Sequence, residues 1–343
     1  MDNITHSLFA LTLSGAGLRR AGRGATAALV IASNIPDIEM LTAFTGGRAE
    51  MLAAHRGPTH GPLGLGLAVA TAAGVWLFQR WFRRGRDSAT FLALLGVSVI
   101  GVLGHIAMDL ATSYGTRVLS PFSGVWYGVD WMPIVDVYLW AILLAGLLAG
   151  LKRPEWRTRA AVLALLLTGG DYALRAAAHA AALHDAIAIQ EAALPGSTRG
   201  VGETFHYLDH QEPAALPAAL PTFFSPFRWR LVLRTPRGFT VEEISVFGHR
   251  APENVIRFPD QRGGAVALAS RAPLAQMFMG FSRFPSAEAL PRKDGGVTVH
   301  WYDMRYAERP TDPNDHRRHT SPFGVWVQLS PSGRIVAQGL GPG

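Results

Sequence analysis

Four long apolar segments constrain this chain more than any other feature of its sequence. A bilayer core about 30 Å thick is crossed by a helix of roughly 20 apolar residues. The segments that reach this length are 62–81, 89–111, 131–151 and 160–182. Basic stretches separate them, a pattern that favours membrane helices over the buried helices of a large soluble domain. The sequence therefore predicts a polytopic membrane protein.

Two shorter apolar segments, 7–18 and 25–44, precede these spans, with RRAGRG between them. They are predicted to form a helical hairpin that crosses the bilayer only in part. Far downstream, alternating segments such as FTVEEISVFG and GVTVHWYDMRY are punctuated by Gly and Pro, which is typical of antiparallel strands. The predicted fold is therefore a mainly α membrane bundle with an N-terminal hairpin, followed by a small antiparallel β domain.

The predicted domain boundaries follow the change in composition along the chain. Residues 1–183 hold the apolar spans, and residues 184–221 are predicted to form an Ala-rich amphipathic helix and a Pro-rich linker. Residues 222–343 contain the predicted strands. We therefore expect a transmembrane domain, a connecting segment and a β-rich domain.

Composition restricts the possible partners. Only 17% of the 343 residues are charged, against about 25% in an average soluble protein. The net charge of +7 is not concentrated in a basic stretch with interleaved aromatics, which argues against nucleic acid. The absence of cysteine excludes disulfides and thiolate zinc sites. The first residues, MDNITH, lack a positively charged stretch, so no cleaved signal peptide is expected. The lipid bilayer is the expected partner.

The distribution of basic residues also predicts the orientation of the protein in the membrane. The connections RRAGRG, QRWFRRGRD and KRPEWRTR contain eleven Arg and Lys residues but only Asp87 and Glu155 as acidic ones. Basic loops remain on the cytoplasmic side of a bacterial inner membrane. Following the chain from these loops places its C-terminal 160 residues or so outside the cytoplasm. We therefore expect a multi-pass inner membrane protein with an extracytoplasmic C-terminal domain.

Histidine and aspartate side chains recur at the predicted outer ends of the spans. The candidate metal ligands are His6, Asp37, His55, His60, His105 and Asp109. His105 and Asp109 are four residues apart and project from one helix face. His55 and His60 flank a Gly-Pro turn, and the sequence leaves open which of them is a ligand. Imidazole and carboxylate are the usual zinc ligands when cysteine is absent, so a divalent metal site is predicted, although a single histidine at a helix end is more often a capping residue.

The motifs MDNITHSL, NIPDIE, HRGPTH, GHIAMDLATSYGTRVLSPF, SPFRWR and WYDMRYA resemble the DUF457 family of membrane-bound metal-dependent hydrolases. The resemblance runs through most of the chain, and the histidine motifs are specific in combination. That family is grouped with zinc-dependent phospholipase C and nuclease P1. The resemblance implies a polynuclear zinc site on a helical scaffold with a His-x-x-x-Asp ligand pair.

Carried over by position, the resemblance makes His105 and Asp109 the His-x-x-x-Asp pair, with Asp109 as the bridging carboxylate. Asp37 and His60 match ligands of the same ion, and His6 matches a ligand of a neighbouring ion. A three-ion site needs two more histidines and another carboxylate after this pair, and the sequence has no clean match for them. We therefore expect one or two ions, with Zn²⁺ as the expected metal.

The predicted function is hydrolysis of a phosphoester or lipid headgroup at the outer face of the membrane. A metal in such a site lowers the pKa of bound water and polarises the scissile oxygen. The predicted catalytic residues are Arg56 and Asp109, and the predicted substrate-binding residues are Arg56, Thr59 and Arg117. A guanidinium group can bind a phosphate with two parallel hydrogen bonds, although contact with lipid headgroups would also explain the arginines. The alternative function is a non-enzymatic metal-binding scaffold or regulator.

The last span carries a second set of polar residues. Asp171, Arg175 and His179 are spaced by four and lie on one helix face. We expect an Asp–Arg ion pair inside the bundle. The alternative is that His179 links this helix to the metal site.

Overall fold

The computed structural model describes residues 1–82, 89–198, 206–208, 216–248, 255–308 and 323–341. Its N-terminal half is helical, as predicted. The helices are α1 (Asn3–Ala16), α2 (Ala25–Ala32), α3 (Ala43–Ala54), α4 (Leu63–Phe82), α5 (Phe91–Leu110), α6 (Val137–Lys152) and α7 (Arg157–Ala193). Two short helices, α8 (Gly264–Ala269) and α9 (Pro273–Phe281), lie among the later strands.

Among the described residues, three helices are long and apolar enough to cross a membrane, and they correspond to three of the four predicted spans. These are α4, α5 and the helix that includes α7. The fourth prediction, 131–151, was too long. Helix α6 begins only at Val137, where Asp136 accepts hydrogen bonds from the nitrogens of Tyr138 and Leu139. Its 16 residues extend only about 24 Å at 1.5 Å per residue.

The second arm of the predicted hairpin is broken. Helix α2 ends at Ala32, and the chain bends by 45° before it continues through a 3₁₀ helix at Ile35–Thr42 into α3. If this bent pair counts as one span, the number of candidate spans rises to four. In the 3₁₀ helix the burial pattern is the reverse of that in a water-soluble protein. Asp37 and Glu39 are buried, whereas Ile38 and Met40 are 45% and 43% exposed, as expected where the surroundings are lipid.

Helix α7 is continuous over 37 residues. The amphipathic helix predicted after residue 183 is therefore the last part of α7. Arg175 on this helix forms ion pairs with Asp136 and with Asp171, the latter at 3.6 Å, which confirms the predicted Asp–Arg pair. The ring of His179 packs 5.4 Å from that of Trp229, so His179 lies against the β region.

The β region consists of two four-stranded antiparallel sheets. This confirms the predicted antiparallel β domain, whose division into two sheets was not predicted. The first contains β3 (Ala218–Pro221), β4 (Arg228–Thr235), β5 (Gly238–Ser245) and β6 (Ile256–Pro259) in that order. The second contains β7 (Pro285–Pro291), β8 (Val297–Asp303), β9 (Gly324–Leu329) and β10 (Ile335–Leu340). A separate pair joins β1 (Trp126–Gly128) to β2 (His206–Leu208).

The first sheet is buried on both faces. One face packs on α7 through Trp229 and Leu231, and the other packs through Val232 and Phe239 on residues next to the second sheet. Part of the predicted Pro-rich linker is therefore strand β3, and residues 199–205 and 209–215 of that linker lie outside the described residues.

Arg305 fixes the β region to the segment that joins α5 to α6. Its guanidinium pairs with Asp303 at 2.7 Å and donates hydrogen bonds to the carbonyls of Ser113 and Tyr114 at 2.8 and 3.1 Å.

At the other end of the bundle the backbone nitrogen of Ala89 donates a hydrogen bond to the carbonyl of Arg23. This contact brings two of the basic connections together. Residues 83–87 of the second connection lie outside the described residues.

Candidate metal centre

His105 and Asp109 lie on the buried face of α5, as their spacing predicts. Both side chains are 1% exposed. His105 Nδ1 lies 2.9 Å from the carbonyl oxygen of Ser33, at the end of α2. This contact requires α2 and α5 to pack closely, and they do so at Gly101, where an added Cβ would lie 2.9 Å from the carbonyl oxygen of Leu29. The glycine thus allows the backbone to orient the imidazole.

His60 and Asp37 approach these two residues from other elements. His60 is fully buried at the end of a short 3₁₀ turn, Pro58–His60, just before α4. Asp37 lies in the 3₁₀ helix that follows α2 and is 9% exposed. The ligand atoms of Asp37, His60, His105 and Asp109 all lie within 4.8 Å of one another. We call these four residues the metal cluster.

The separations within the metal cluster match those of a tetrahedral ligand set. His60 Nε2 lies 3.0 Å from His105 Nε2, and both nitrogens lie close to Asp109 Oδ2, at 3.2 and 3.4 Å. Their distances to Asp37 Oδ1 are 3.6 and 3.8 Å. Ligands about 2.0–2.1 Å from a tetrahedral zinc ion are about 3.3 Å apart. The donor set and its spacing therefore fit a divalent ion.

The hydrogen bonds of the two imidazoles also favour a cation at this point. The Ser33 carbonyl can only accept, so His105 carries its proton on Nδ1 and has a lone pair on Nε2. His60 lies between carboxylates, with Nδ1 3.4 Å from Glu39 Oε1 and Nε2 3.2 Å from Asp109 Oδ2. The lone pair of His105 Nε2 therefore meets His60 Nε2 and two carboxylates at one place. A divalent cation there would stabilise the buried carboxylates.

His6 contacts the other oxygen of the bridging candidate. His6 Nε2 lies 3.4 Å from Asp109 Oδ1, whereas His60 and His105 face Oδ2. The His6 ring stacks on the His105 ring with centroids 3.9 Å apart. The amino nitrogen of Met1 and the guanidinium of Arg56 also reach Oδ1. Asp109 therefore presents one oxygen to the metal cluster and the other to His6.

A second group of possible ligands adjoins the metal cluster and shares Asp37. Asp37, Glu39 and His55 have ligand atoms within 4.8 Å of one another, and His55 Nδ1 lies 3.4 Å from Glu39 Oε1. Burial lowers the pKa of His55, against the opposing effect of Glu39, which favours the neutral imidazole that a metal ligand requires. His55 and His60 thus fall into different ligand groups, as their spacing allows.

The three residues predicted to bind substrate all make internal contacts. Arg56 is 3% exposed and donates to Asp109 Oδ1 at 3.0 Å and to Thr112 Oγ1 at 2.8 Å. Thr59 donates to a carboxylate oxygen of Glu39. Arg117 is half-buried and donates to the carbonyl of Ala53 at the end of α3. Substrate binding by these residues stays a prediction, and in the structure Arg56 orients Asp109.

Glu39 is the site residue that sequence reasoning missed. It is 7% exposed and contacts His55, His60 and Thr59. The motif NIPDIE already contained a signal, since Glu39 follows Asp37 by two residues in a segment whose other side chains are mostly apolar. The Ser33 carbonyl, by contrast, gives no signal in a sequence because every residue has one.

Comparison with known proteins agrees with the membrane assignment. No curated protein and no solved structure matches the chain. The sequence model of a family described as YdjM inner membrane protein matches residues 1–181, which is slightly more than half of the chain. The matched part includes all four residues of the metal cluster, as well as His6, Glu39 and His55, and it ends within α7 before the sheets begin. The chain therefore belongs to the YdjM inner membrane protein family.

Proposed function

We propose that this protein is a membrane-bound metal-dependent hydrolase that acts on a phosphoester or a lipid headgroup. The observation that carries the proposal is that the ligand atoms of Asp37, His60, His105 and Asp109 all lie within 4.8 Å of one another in a buried place. Zn²⁺ is the proposed metal because nitrogen and oxygen ligands at this spacing suit it. A bound ion of this kind supplies Lewis acidity, which polarises a phosphoryl oxygen and makes water more acidic.

The side chains around the metal cluster have distinct roles in this proposal. Ser33 and Glu39 orient the two imidazoles through their Nδ1 atoms, as is usual for histidine ligands of a metal. Arg56 positions Asp109 and offsets its charge. Asp37, Glu39 and His55 form the site for a second ion.

The proposed orientation places the metal cluster at the extracytoplasmic side, with residues 222–343 as an extracytoplasmic domain. The support is the basic residues of the three connections at the opposite end of the bundle. Reporter fusions after residue 155 are expected to indicate the cytoplasm, and fusions after residue 120 and after residue 341 are expected to indicate the outside. A cytoplasmic signal after residue 341 would reverse this orientation.

A non-enzymatic metal scaffold is the second candidate, and one observation favours it. All four side chains of the metal cluster are buried, with exposures from 0% to 9%, as in a closed structural site. Elemental analysis of the purified protein tests both candidates, because each requires at least one equivalent of a divalent metal. Hydrolysis of bis(p-nitrophenyl) phosphate and of phospholipid, with and without a chelator, then separates them. Chelator-sensitive hydrolysis supports the enzyme, and full metal loading without hydrolysis of either substrate supports the scaffold.

A further inference from the structure

A large cavity lies outside the metal centre, where the first sheet meets the segment between α5 and α6. Its volume is about 650 Å³. Its described walls include Met132 and Ile134 from that segment and Phe223 and Phe224 from the turn between β3 and β4. The other walls come from β4, β5 and the turn after β8. The cavity therefore has an apolar side and a polar side, and it lies mostly beyond the part of the chain that the family match covers.

The polar side contains hydrogen-bond donors without partners. Ser113 Oγ, Arg230 Nε and Tyr306 Oη are buried, and none of these atoms has a hydrogen-bond partner among the described residues. Burial raises the pKa of Tyr306 to about 12, so the phenol keeps its proton at neutral pH and can donate. Buried donors without acceptors are costly. An acceptor-rich group such as a phosphate would satisfy all three.

The same walls carry charges of both signs that are close but not paired. Arg228 and Arg230 lie on β4, and Glu243 lies on β5 directly opposite Arg230. Glu308 lies in the same wall, and the carboxylates of Glu308 and Glu243 oppose the lowering of the Arg230 pKa by burial. Among the described residues, no ion pair within 4.0 Å joins any two of these four side chains. Two positive and two negative groups are therefore available to a ligand that carries both charges.

The apolar side of the cavity carries exposed aromatic rings next to the first turn of α6. Phe223 and Phe224 are 53% and 79% exposed. The carbonyl of Phe224 accepts a hydrogen bond of 3.0 Å from Tyr138 Oη, in the first turn of α6. Aromatic side chains at the end of a membrane helix are typical of the lipid headgroup region. These rings therefore place this side of the cavity at the level expected for lipid headgroups.

We propose that this cavity binds the headgroup of a zwitterionic phospholipid that carries a primary ammonium group. Arg228, Arg230 and Tyr306 bind the phosphate, and Glu243 and Glu308 accept hydrogen bonds from the ammonium group. The formal charges of the two arginines and two glutamates cancel, which suits a neutral zwitterion better than an anionic lipid. A quaternary ammonium group has no N–H to donate, so the carboxylates distinguish the two kinds of headgroup. This inference goes beyond the proposed function, since it uses no residue of the metal cluster.

The test is binding of short-chain lipids to the full-length protein in detergent, measured by native mass spectrometry after treatment with a chelator. The probes are dihexanoyl phosphatidylethanolamine, its phosphatidylcholine and phosphatidylglycerol counterparts, and soluble phosphoethanolamine. We expect one equivalent of the ethanolamine lipid to bind at least about tenfold more tightly than the other three probes, or about 1.4 kcal/mol. Equal binding of all three lipids, or of soluble phosphoethanolamine and its lipid, would overturn the proposal. Because the chelator removes the metal, failure of the proposed hydrolase activity leaves this result unaffected.

Three variants locate the site. Arg230→Gln is expected to weaken binding of the ethanolamine lipid at least tenfold. Glu243→Gln changes an exposed side chain, and it is expected to reduce binding of the ethanolamine lipid to the level of the choline lipid. Arg257→Gln on β6 is the matched control, because Arg257 is an exposed arginine of the same sheet outside the cavity. Unchanged lipid preference in Glu243→Gln would refute recognition of the ammonium group.

Discussion

Two buried charged clusters in the helical half of the molecule have similar residues and different chemistry. In the metal cluster, Asp37 and Asp109 face the Nε2 atoms of His60 and His105. In the Arg175 cluster, defined as Arg175 with Asp136 and Asp171, the carboxylates face a guanidinium. The guanidinium of Arg175 pairs with both of its carboxylates, whereas Arg56 and the amino group of Met1 contact Asp109 Oδ1 and leave Oδ2 to the two imidazoles. The balance of donors and acceptors, rather than burial or residue type, therefore distinguishes a ligand site from a structural ion pair.

The largest expected difference between the two clusters is the loss of bound metal when Asp109 is changed. Asp109→Asn removes the carboxylate that lies within 3.4 Å of both imidazole nitrogens, so bound metal is expected to fall at least tenfold from one or two equivalents. His105→Ala is expected to give the same loss. Elemental analysis of the folded, monodisperse protein measures it, with His184→Ala as the control because His184 is an exposed histidine of α7. Full metal content in Asp109→Asn would remove the distinction between the two clusters.

The Arg175 cluster is expected to affect stability and leave metal content unchanged. Arg175→Ala leaves the buried Asp136 without its cation, and removal of one partner of a buried pair costs about 3–5 kcal/mol. Thermal unfolding in detergent measures this loss. Leu174→Ala, at an exposed neighbouring position of α7, is the control for a shortened side chain on this helix. A variant that loses metal while its thermal stability is unchanged would show that the Arg175 cluster belongs to the metal site.

Glu39 tests whether orientation of the imidazoles matters as much as the ligands themselves. Glu39→Gln keeps the shape of the side chain but weakens its contacts with the Nδ1 atoms of His55 and His60. Loss of such an orienting partner typically lowers metal affinity 10–100-fold. Competition with a chelating dye measures the affinity. Glu50→Gln, an exposed glutamate of α3, serves as the control, and equal affinities of the two variants would contradict an orienting role for Glu39.

Much of this fold was predictable because hydropathy and charge act locally along the chain. The spans around α4, α5 and α7 follow from apolar length alone, and the i, i+4 spacing of His105 and Asp109 places them on one face. The delayed start of α6 depends on a capping contact of Asp136 and on Pro133 before it, which apolar counting ignores. The partition of His55 and His60 between two ligand groups depends on a turn that only tertiary packing fixes. Metal ligands are recognisable from their residue types, whereas the groups that orient them include a backbone carbonyl.

The smallest expected effect is at Arg117, which lies beside the metal cluster without belonging to either cluster. Its guanidinium donates to the carbonyl of Ala53 at 2.6 Å and lies 4.9 Å from the ring centroid of Trp126. Arg117→Ala is therefore expected to lower stability on the order of 1 kcal/mol through the end of α3 and the cation–π contact. For a protein of 343 residues that is a shift of about 1–2 °C in Tm, with metal content unchanged. Arg117→Lys keeps the charge and is expected to recover part of the loss.

If hydrolysis falls tenfold or more in Arg117→Ala while metal content and Tm stay the same, Arg117 acts on substrate as the sequence predicts. A small loss of Tm without a change in hydrolysis assigns it to the end of α3, and the chemistry then depends on the metal cluster and the residues that orient it.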